Sequence, residues 1–336
     1  MQINNATTRR LGRSDIEVSA LGLGCWAIGG PFSMFGQPDG WGEVDDAEST
    51  RAIRRAVELG VTFFDTADAY GTGHSERVLG RALGAHRDQV VIATKVGYTY
   101  DEERRELTGT DASPAYIKRA CEASLRRLNT DYIDLYQLHV GDLSETQAQD
   151  VRAVLEDLLD AGTIRAYGWS TDDVEGMKAF ASGGRCAAVQ HQLNVFELLD
   201  PDSSAFAMLR LCDELDLASI NRSPLAMGLL TGKFTADTRL PSDDVRANAP
   251  WLRWFRDGRP APDLLRRLDA VREILTSEGR TLAQGALGWI WARSERTIPI
   301  PGFKTVAQAE ENARALEFGP LRPEQVAEID HLLRAE

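Results

Sequence analysis

The sequence is short of positive charge and of cysteine, and it has no long apolar run. Lysine and arginine total 38 against 51 acidic residues, a formal net charge of −13. Binding a phosphate backbone needs a basic surface, so no nucleic-acid partner is expected. The short basic clusters Arg104-Arg105 and Arg126-Arg127 are set among acids and read as solvated faces. Cys25, Cys121, Cys186 and Cys212 lie far apart with no C-x-x-C pair, which suits free thiols in a reducing compartment rather than a disulfide framework. The N-terminal MQINNATTRR lacks the apolar stretch of a signal peptide, and no run approaches the ~18 residues of a membrane span. A cytoplasmic chain without a membrane partner is therefore expected. No linker or shift of composition divides residues 1–336, which read as one domain.

What is present is alternation. Short β-rich runs recur at 19–26, 61–68, 90–97, 132–139, 163–170, 187–194, 217–224 and 297–302. Most begin as nearly continuous apolar stretches, as strands buried on both faces do. The segments between them carry helix signals. Asp45 stands three residues before Glu48 in the manner of a capping box, and Ser144 and Gln147 repeat the pattern. Ser113-Pro114 supplies an N-cap and a first-turn proline. Eight strands alternating with helices imply parallel pairing through right-handed crossovers, and a closed (β/α)8 TIM barrel is the simplest arrangement. Residues 8–19 read as an N-terminal β-hairpin around Gly-Arg-Ser-Asp. Two helical patterns, 263–278 and 281–293, precede the eighth strand, and 324–335 reads as an extra C-terminal helix. Residues 231–262, with Pro241, Pro250, Trp251, Trp254 and Phe255, are expected to form a long functional cover.

In such a barrel the carboxyl ends of the strands converge on one mouth. FFDTADAYG ends an apolar run in Asp65 and delivers Tyr70 five residues on. The next two runs deliver Lys95, at the end of VVIATK, and His139, at the end of YIDLYQLH. Taken singly, a strand-end lysine is usually surface charge and a lone histidine a core residue. Jointly, an acid, a phenol, an ammonium and an imidazole on one rim form a proton-transfer set. A free phenol ionises near pH ~10. An ammonium at about 4 Å, at an effective dielectric near 20, offers the phenolate about 4 kcal/mol before desolvation. An aspartate keeps that lysine charged, and the imidazole can orient a carbonyl. Tyr70 is then a general acid for an oxygen gaining negative charge.

These residues match a known family. GLGCWAIGG, DTADAYG with the following SE, TK at 94–95, QLH at 137–139, GWS at 168–170, VQ at 189–190, SPLAMGLLTGK at 223–233 and IPIPG…EEN at 298–312 resemble the aldo-keto reductases over essentially the whole chain. The resemblance implies a (β/α)8 barrel, reversible nicotinamide-dependent reduction of a small-molecule carbonyl, and the tetrad Asp65, Tyr70, Lys95 and His139. It further implies that Ser170 and Gln190 hold the nicotinamide carboxamide, with Asn194 near that pocket. Thr171 stands where the family usually has asparagine, and Arg222 where an aromatic residue commonly stacks on the ring; a guanidinium plane can also stack there. Ser223, Leu225 and Gly228 would run along the pyrophosphate. Gly302, Lys304 and Thr305 would stand at the adenosine end, at a helix start that favours an anion. Glu311 and Asn312 match adenine contacts. Lys304 argues for the 2′-phosphate of NADP(H), although an exposed first-turn lysine is the plain alternative. Gln308 replaces an arginine that often assists there, so NAD(H) stays open.

GLGCWA also fits a loose G-x-G-x-x-A, but the following IGGPFSMFGQPDGWG is too rich in glycine and proline to open the helix that a Rossmann fingerprint needs. Trp26, Phe32, Phe35 and Trp41 in that loop are expected as rim aromatics of a substrate pocket, with core packing the competing reading. Specificity is expected in the loops 27–44, 98–112 and 231–262. Two other functions compete with this reading: a cofactor-binding, redox-sensing subunit, and a metal-dependent barrel hydrolase or isomerase using His139, His191 and Asp65. The fifth and seventh strands end in WS and SP, which offer a metal no ligands. Nothing in the sequence signals an oligomeric state.

Overall fold

A computed structural model describes residues 8–141, 143–249 and 252–334. Eight parallel strands form one sheet: β1 Gly22–Gly24, β2 Phe63–Asp65, β3 Val91–Val96, β4 Ile133–Leu138, β5 Ile164–Ser170, β6 Ala188–Gln192, β7 Ala218–Arg222 and β8 Thr297–Pro299. Their order in space follows the chain from β1 to β8. A parallel bridge between Gly24 and Gly302, with the Gly24 N–H donating to the Pro301 carbonyl at 3.0 Å, joins the last turn to the first and closes the barrel. The outer strands are shorter than the sequence runs around them. Pro299 and Pro301 have no N–H for a ladder, so β8 stops early.

Side chains alternate between the inside and outside of each strand. Phe63, Val91, Ala93, Leu135, Ala166, Ala188, Ala218, Ile220 and Ile298 share the inner core. Leu11, Ile16 and Val18 of the hairpin Thr8–Arg10/Glu17–Ser19 pack into the same cluster. This plugs the end of the barrel opposite the strand carboxyl termini. Gly12 approaches so near the starts of β6 and β7 that a Cβ would lie 2.0 Å from the Ala187 carbonyl oxygen. The outward residues, among them Phe64, Ile92, Tyr136, Leu138, Tyr167 and Trp169, pack against the surrounding helices.

Those helices start where the sequence signals them. Ser113 and Ser144 cap Pro114–Leu128 and Glu145–Asp160, the second with the full reciprocal box to Gln147. Asp45 caps Asp46–Glu58, but Glu48 does not reach back to it. Its carboxylate instead accepts the Val306 N–H at 2.8 Å, capping Val306–Ala313 across the barrel seam. Pro262–Leu275 and Leu282–Trp291 precede β8, and Pro323–Arg334 ends the described chain. Among the described residues no helix is long and apolar enough to cross a membrane.

Two covers differ from the expectation. Residues 231–262 contain the helical turn Val245–Asn248 and the ribbon Phe255–Arg256/Arg259–Pro260. Phe234, Val245, Leu252, Trp254 and Phe255 anchor it in the core, which a bare flap would not do; Pro250 and Trp251 lie outside the described residues. The loops 27–44 and 98–112 are not separate either. Ser33–Met34 pairs antiparallel with Gln37–Pro38 and parallel with Glu106–Thr110, which pairs with Tyr98–Asp101. One small sheet thus stands over the mouth.

Candidate active site

Strand alternation decides what lines the top of the barrel. Asp65 shares the inward parity of Phe63, and Lys95 that of Val91 and Ala93. Gln137 follows Leu135, Ser170 follows Ala166, Gln190 follows Ala188, and Arg222 follows Ala218 and Ile220. The register sets Lys95 beside Gln137 and Ser170 beside Gln190. The uppermost inner layer is therefore polar where the layers below are apolar.

The tetrad converges there. Lys95 Nζ donates to Asp65 Oδ1 at 2.6 Å, to the Thr66 carbonyl at 2.8 Å and to the Tyr70 hydroxyl at 3.1 Å. Lys95 is fully buried, and its three donors have three acceptors. Burial works against its charge, but Asp65 and Tyr70 outweigh that and raise its pKa. Asp65 Oδ2 accepts from Gln190 Nε2 at 2.8 Å and Gln137 Nε2 at 3.2 Å. Gln137 was not anticipated as a site residue, although counting by two from Leu135 points it inward.

Tyr70 departs from the sequence-level expectation in the sign of its shift. Burial raises the phenol pKa, Lys95 pulls it down, and Asp65 pushes it up again, leaving it above the ordinary value. Desolvation of the phenolate outweighs the ammonium. The group stays a phenol, the form an acid requires. His139 is pushed well below its usual range by burial and by the positive charges of Lys95 and Arg222. It is a neutral imidazole, edge-on to Tyr70 (5.7 Å) and Tyr98 (5.1 Å), and its buried Nδ1 has no hydrogen-bond partner among the described residues. Trp26 stacks on the Tyr70 ring at 6.1 Å and meets Trp41 edge-on at 5.5 Å.

A single cavity of about 590 Å3 runs from this cluster across the barrel mouth. Asp65, Tyr70, His139, Ser170, Thr171, Gln190, Arg222, Ser223, Leu225, Gly228, Gly302, Lys304, Gln308, Glu311 and Asn312 all line it, with Trp26, Phe32 and Trp41 on the rim. Lys95 stands behind the wall, and Thr305 caps Val306–Ala313 without lining the cavity. Phe35 is not brought to the pocket. It occupies the tip of the Ser33–Pro38 hairpin at φ 51°, next to Gly36 at φ 76°, and is 63% exposed. Asn194 acts one step back, its amide donating to the Ser223 carbonyl at 3.3 Å.

Arg222 pairs with Asp172 and donates to Gln192 Oε1 at 3.2 Å. At the far end Lys233 and Lys304 line the cavity. Burial lowers the pKa of both, and nearby Arg246 adds to this for each. Lys233 was also missed as a site residue, although it closes the SPLAMGLLTGK segment. Met227 (φ 55°) and Gly228 (φ 91°) bend the backbone between these lysines and the tetrad. His191 is engaged elsewhere, with Ser219 Oγ at 2.8 Å from Nε2, and does not meet His139 or Asp65. Among the described residues no group of three or more His, Cys, Asp or Glu side chains could hold a metal ion.

The family model described as the aldo/keto reductase family matches residues 20–334. Aldo-keto reductase YhdN of Bacillus subtilis is 34% identical over 301 residues, 88% of this chain and 84% of that protein. The aldo-keto reductase yakc [NADP(+)] of Schizosaccharomyces pombe is 31% identical over 313 residues, 92% and 86% of the two chains. An aldo-keto reductase from Klebsiella pneumoniae, solved in complex with NADPH, superposes with a TM-score of 0.70 at 28% identity, covering 98% of this chain and 96% of that one.

Proposed function

The chain belongs to the aldo-keto reductase family, and on that premise we propose that it is an NADP(H)-dependent oxidoreductase that reduces an aldehyde or ketone to an alcohol, with Tyr70 as the general acid. The observation that carries this is Lys95 Nζ lying 3.1 Å from the Tyr70 hydroxyl and 2.6 Å from Asp65 at the wall of the cavity. The residues present fit a phosphorylated dinucleotide. Lys304 is half-buried and Lys233 more exposed, and the ammonium charge of each is disfavoured by desolvation and by nearby Arg246, which an anion relieves. Their place at the far end of the cavity, with Ser170, Gln190 and Arg222 near the tetrad, suits phosphates at one end and the nicotinamide at the other. The S. pombe relative named for NADP(+) and the Klebsiella NADPH complex support the same cofactor.

When bound, that cofactor supplies the hydride. The chain's own groups handle the oxygen. The neutral His139 ring has one N–H to donate to the carbonyl oxygen and adds no charge of its own. Tyr70 holds the proton that the oxygen takes as it becomes an alkoxide. The electron pair left on the phenolate oxygen faces Lys95, whose charge Asp65 maintains. Stabilisation that grows as charge develops is the kind that raises rate rather than affinity.

The test is NADPH oxidation across a panel of aldehydes and ketones with wild type and Tyr70→Phe. Loss of turnover with NADPH binding retained supports the assignment. Full activity without the hydroxyl sinks it, and NADPH binding without turnover by wild type favours a cofactor-sensing role instead.

A further inference from the structure

One titratable group in the cavity is not used by the chemistry above. Asp39 lines the pocket, as do Trp26, Phe32, Met34, Trp41 and Tyr98. Its backbone is held at both ends. The Asp39 N–H donates to the Phe32 carbonyl at 3.0 Å, and its carbonyl accepts from Trp26 Nε1 at 3.1 Å. The next residue, Gly40, packs against Gly30 with no room for a side chain, and its carbonyl accepts the Val245 N–H at 3.2 Å. Asp39 is thus fixed one indole away from the Tyr70 ring, because the same Trp26 stacks on Tyr70. Its carboxylate has no cation and no donor among the described residues, unlike Asp172, which is paired with Arg222 on the same wall.

We propose that Asp39 is the specificity-determining residue of the carbonyl pocket. It selects substrates bearing a hydrogen-bond donor, a hydroxyl or a protonated amine, at the end remote from the carbonyl, and rejects those bearing a carboxylate there. The proposal rests on the reductase reading above and adds the substrate class. An acceptor that stays half-buried without a protein partner is costly unless a ligand satisfies it. Burial with nothing to offset it raises the Asp39 carboxyl to about 7, so the group is as poorly served as its surroundings suggest. The aromatic rings around it suit the carbon skeleton of such a substrate and, for the amine, its positive charge. A protonated amine would favour the ionised form of Asp39, whereas a substrate carboxylate would meet the ionised form as a second negative charge in the same half-dry space.

The experiment compares kcat/KM for one aryl aldehyde skeleton with para methyl, hydroxymethyl, dimethylammoniomethyl and carboxylate groups. The enzymes are wild type, Asp39→Asn and Asp39→Leu, with NADPH affinity measured for each by fluorescence quenching. The preference for ammonium over carboxylate is expected to fall at least about tenfold in both variants, the scale on which a site built for a polar group discriminates. The hydroxymethyl preference should survive in Asp39→Asn, which still offers an acceptor, and disappear in Asp39→Leu. A fall confined to the ammonium arm assigns the site to amines, and a fall in both arms assigns it to donors of either kind. Unchanged ratios in both variants, with NADPH binding intact, overturn the role of Asp39 and leave the reductase reading standing. A wild type that binds NADPH and turns over none of the four overturns the proposed substrate class, and one that also turns over no other aldehyde or ketone overturns both readings.

Discussion

Lys304 Nζ donates to the Trp41 carbonyl oxygen at 2.8 Å, and to that of Glu43 at 2.9 Å. A lysine read from the sequence as a phosphate ligand is thereby also the tie that holds residues 41–43 against the last helix-bearing turn. Arg246 strengthens the same closure, its guanidinium 4.7 Å from the Trp41 ring centre. The loop that carries the substrate-side Trp41 and the end proposed for the cofactor phosphates share one ammonium group.

Lys304→Ala should therefore weaken NADPH more than NADH, because only NADPH carries the extra phosphate. We expect a loss of about tenfold or more in NADPH affinity, the size of one charge-assisted hydrogen bond, and a much smaller loss for NADH. Fluorescence titration with each dinucleotide checks this. Equal losses would mean that Lys304 serves only the loop.

Lys95→Met should lower kcat by about a hundredfold or more, the range for losing assisted proton transfer. It also strands Asp65, and breaking a buried ion pair costs about 3–5 kcal/mol. The double variant Lys95→Met/Asp65→Asn removes that penalty. It should regain much of the lost thermal stability and none of the lost turnover. Recovery of both together would contradict an electrostatic role for Lys95 at Tyr70.

Gly40→Ala tests how the mouth is held. A Cβ there would lie 2.5 Å from the Gly30 carbonyl oxygen and 3.0 Å from Pro31 Cα, both backbone atoms that yield only if the loop shifts. Overpacking of this kind costs about 1–3 kcal/mol. Displacement of Asp39 and Trp41 should raise KM for the carbonyl more than it lowers kcat, since the tetrad lies on the strands. Steady-state kinetics with saturating NADPH separates the two.

The barrel and the convergence of Asp65, Tyr70, Lys95 and His139 were legible because each depends on a local pattern: an apolar run, its end, and the residue type at that end. Gln137 is equally accessible through the two-residue period, although within QLH it reads only as part of the landmark. The sheet over the mouth was not legible. Ser33–Met34 is a two-residue strand pairing with a segment more than seventy positions away at Glu106–Leu107, and nothing local announces it. Phe35 misled because aromatic character suggests burial, whereas its place at a positive-φ hairpin tip sends it outward. The sign of the Tyr70 shift was out of reach for a different reason. Charge partners can be read from strand ends, but the depth of burial that outweighs them belongs to the packed molecule.

Asp68, which opens the same DTADAYG turn as Tyr70, gives the last prediction. It is fully buried outside the cavity lining, near the Glu76–Arg127 pair (2.6 Å), and neither of its oxygens makes a well-formed hydrogen bond. Burial and the Glu76 charge raise its pKa well above the ordinary carboxylate range, and Arg127 offsets only part of this. The folded state thus holds a proton that the unfolded chain releases near pH ~4. Where the folded state binds more protons, stability falls as pH rises, by up to about 1.4 kcal/mol per unit for one group. The cost is absent below the unfolded pKa and grows from there until the folded pKa is reached. Asp68→Asn has the same shape and no ionisation. Its melting temperature relative to wild type should therefore be higher at pH 8 than at pH 5, whatever the offset at the acid end. A difference that stays flat over that interval would show that Asp68 is ionised in the folded protein, with Arg127 rather than a retained proton compensating its burial.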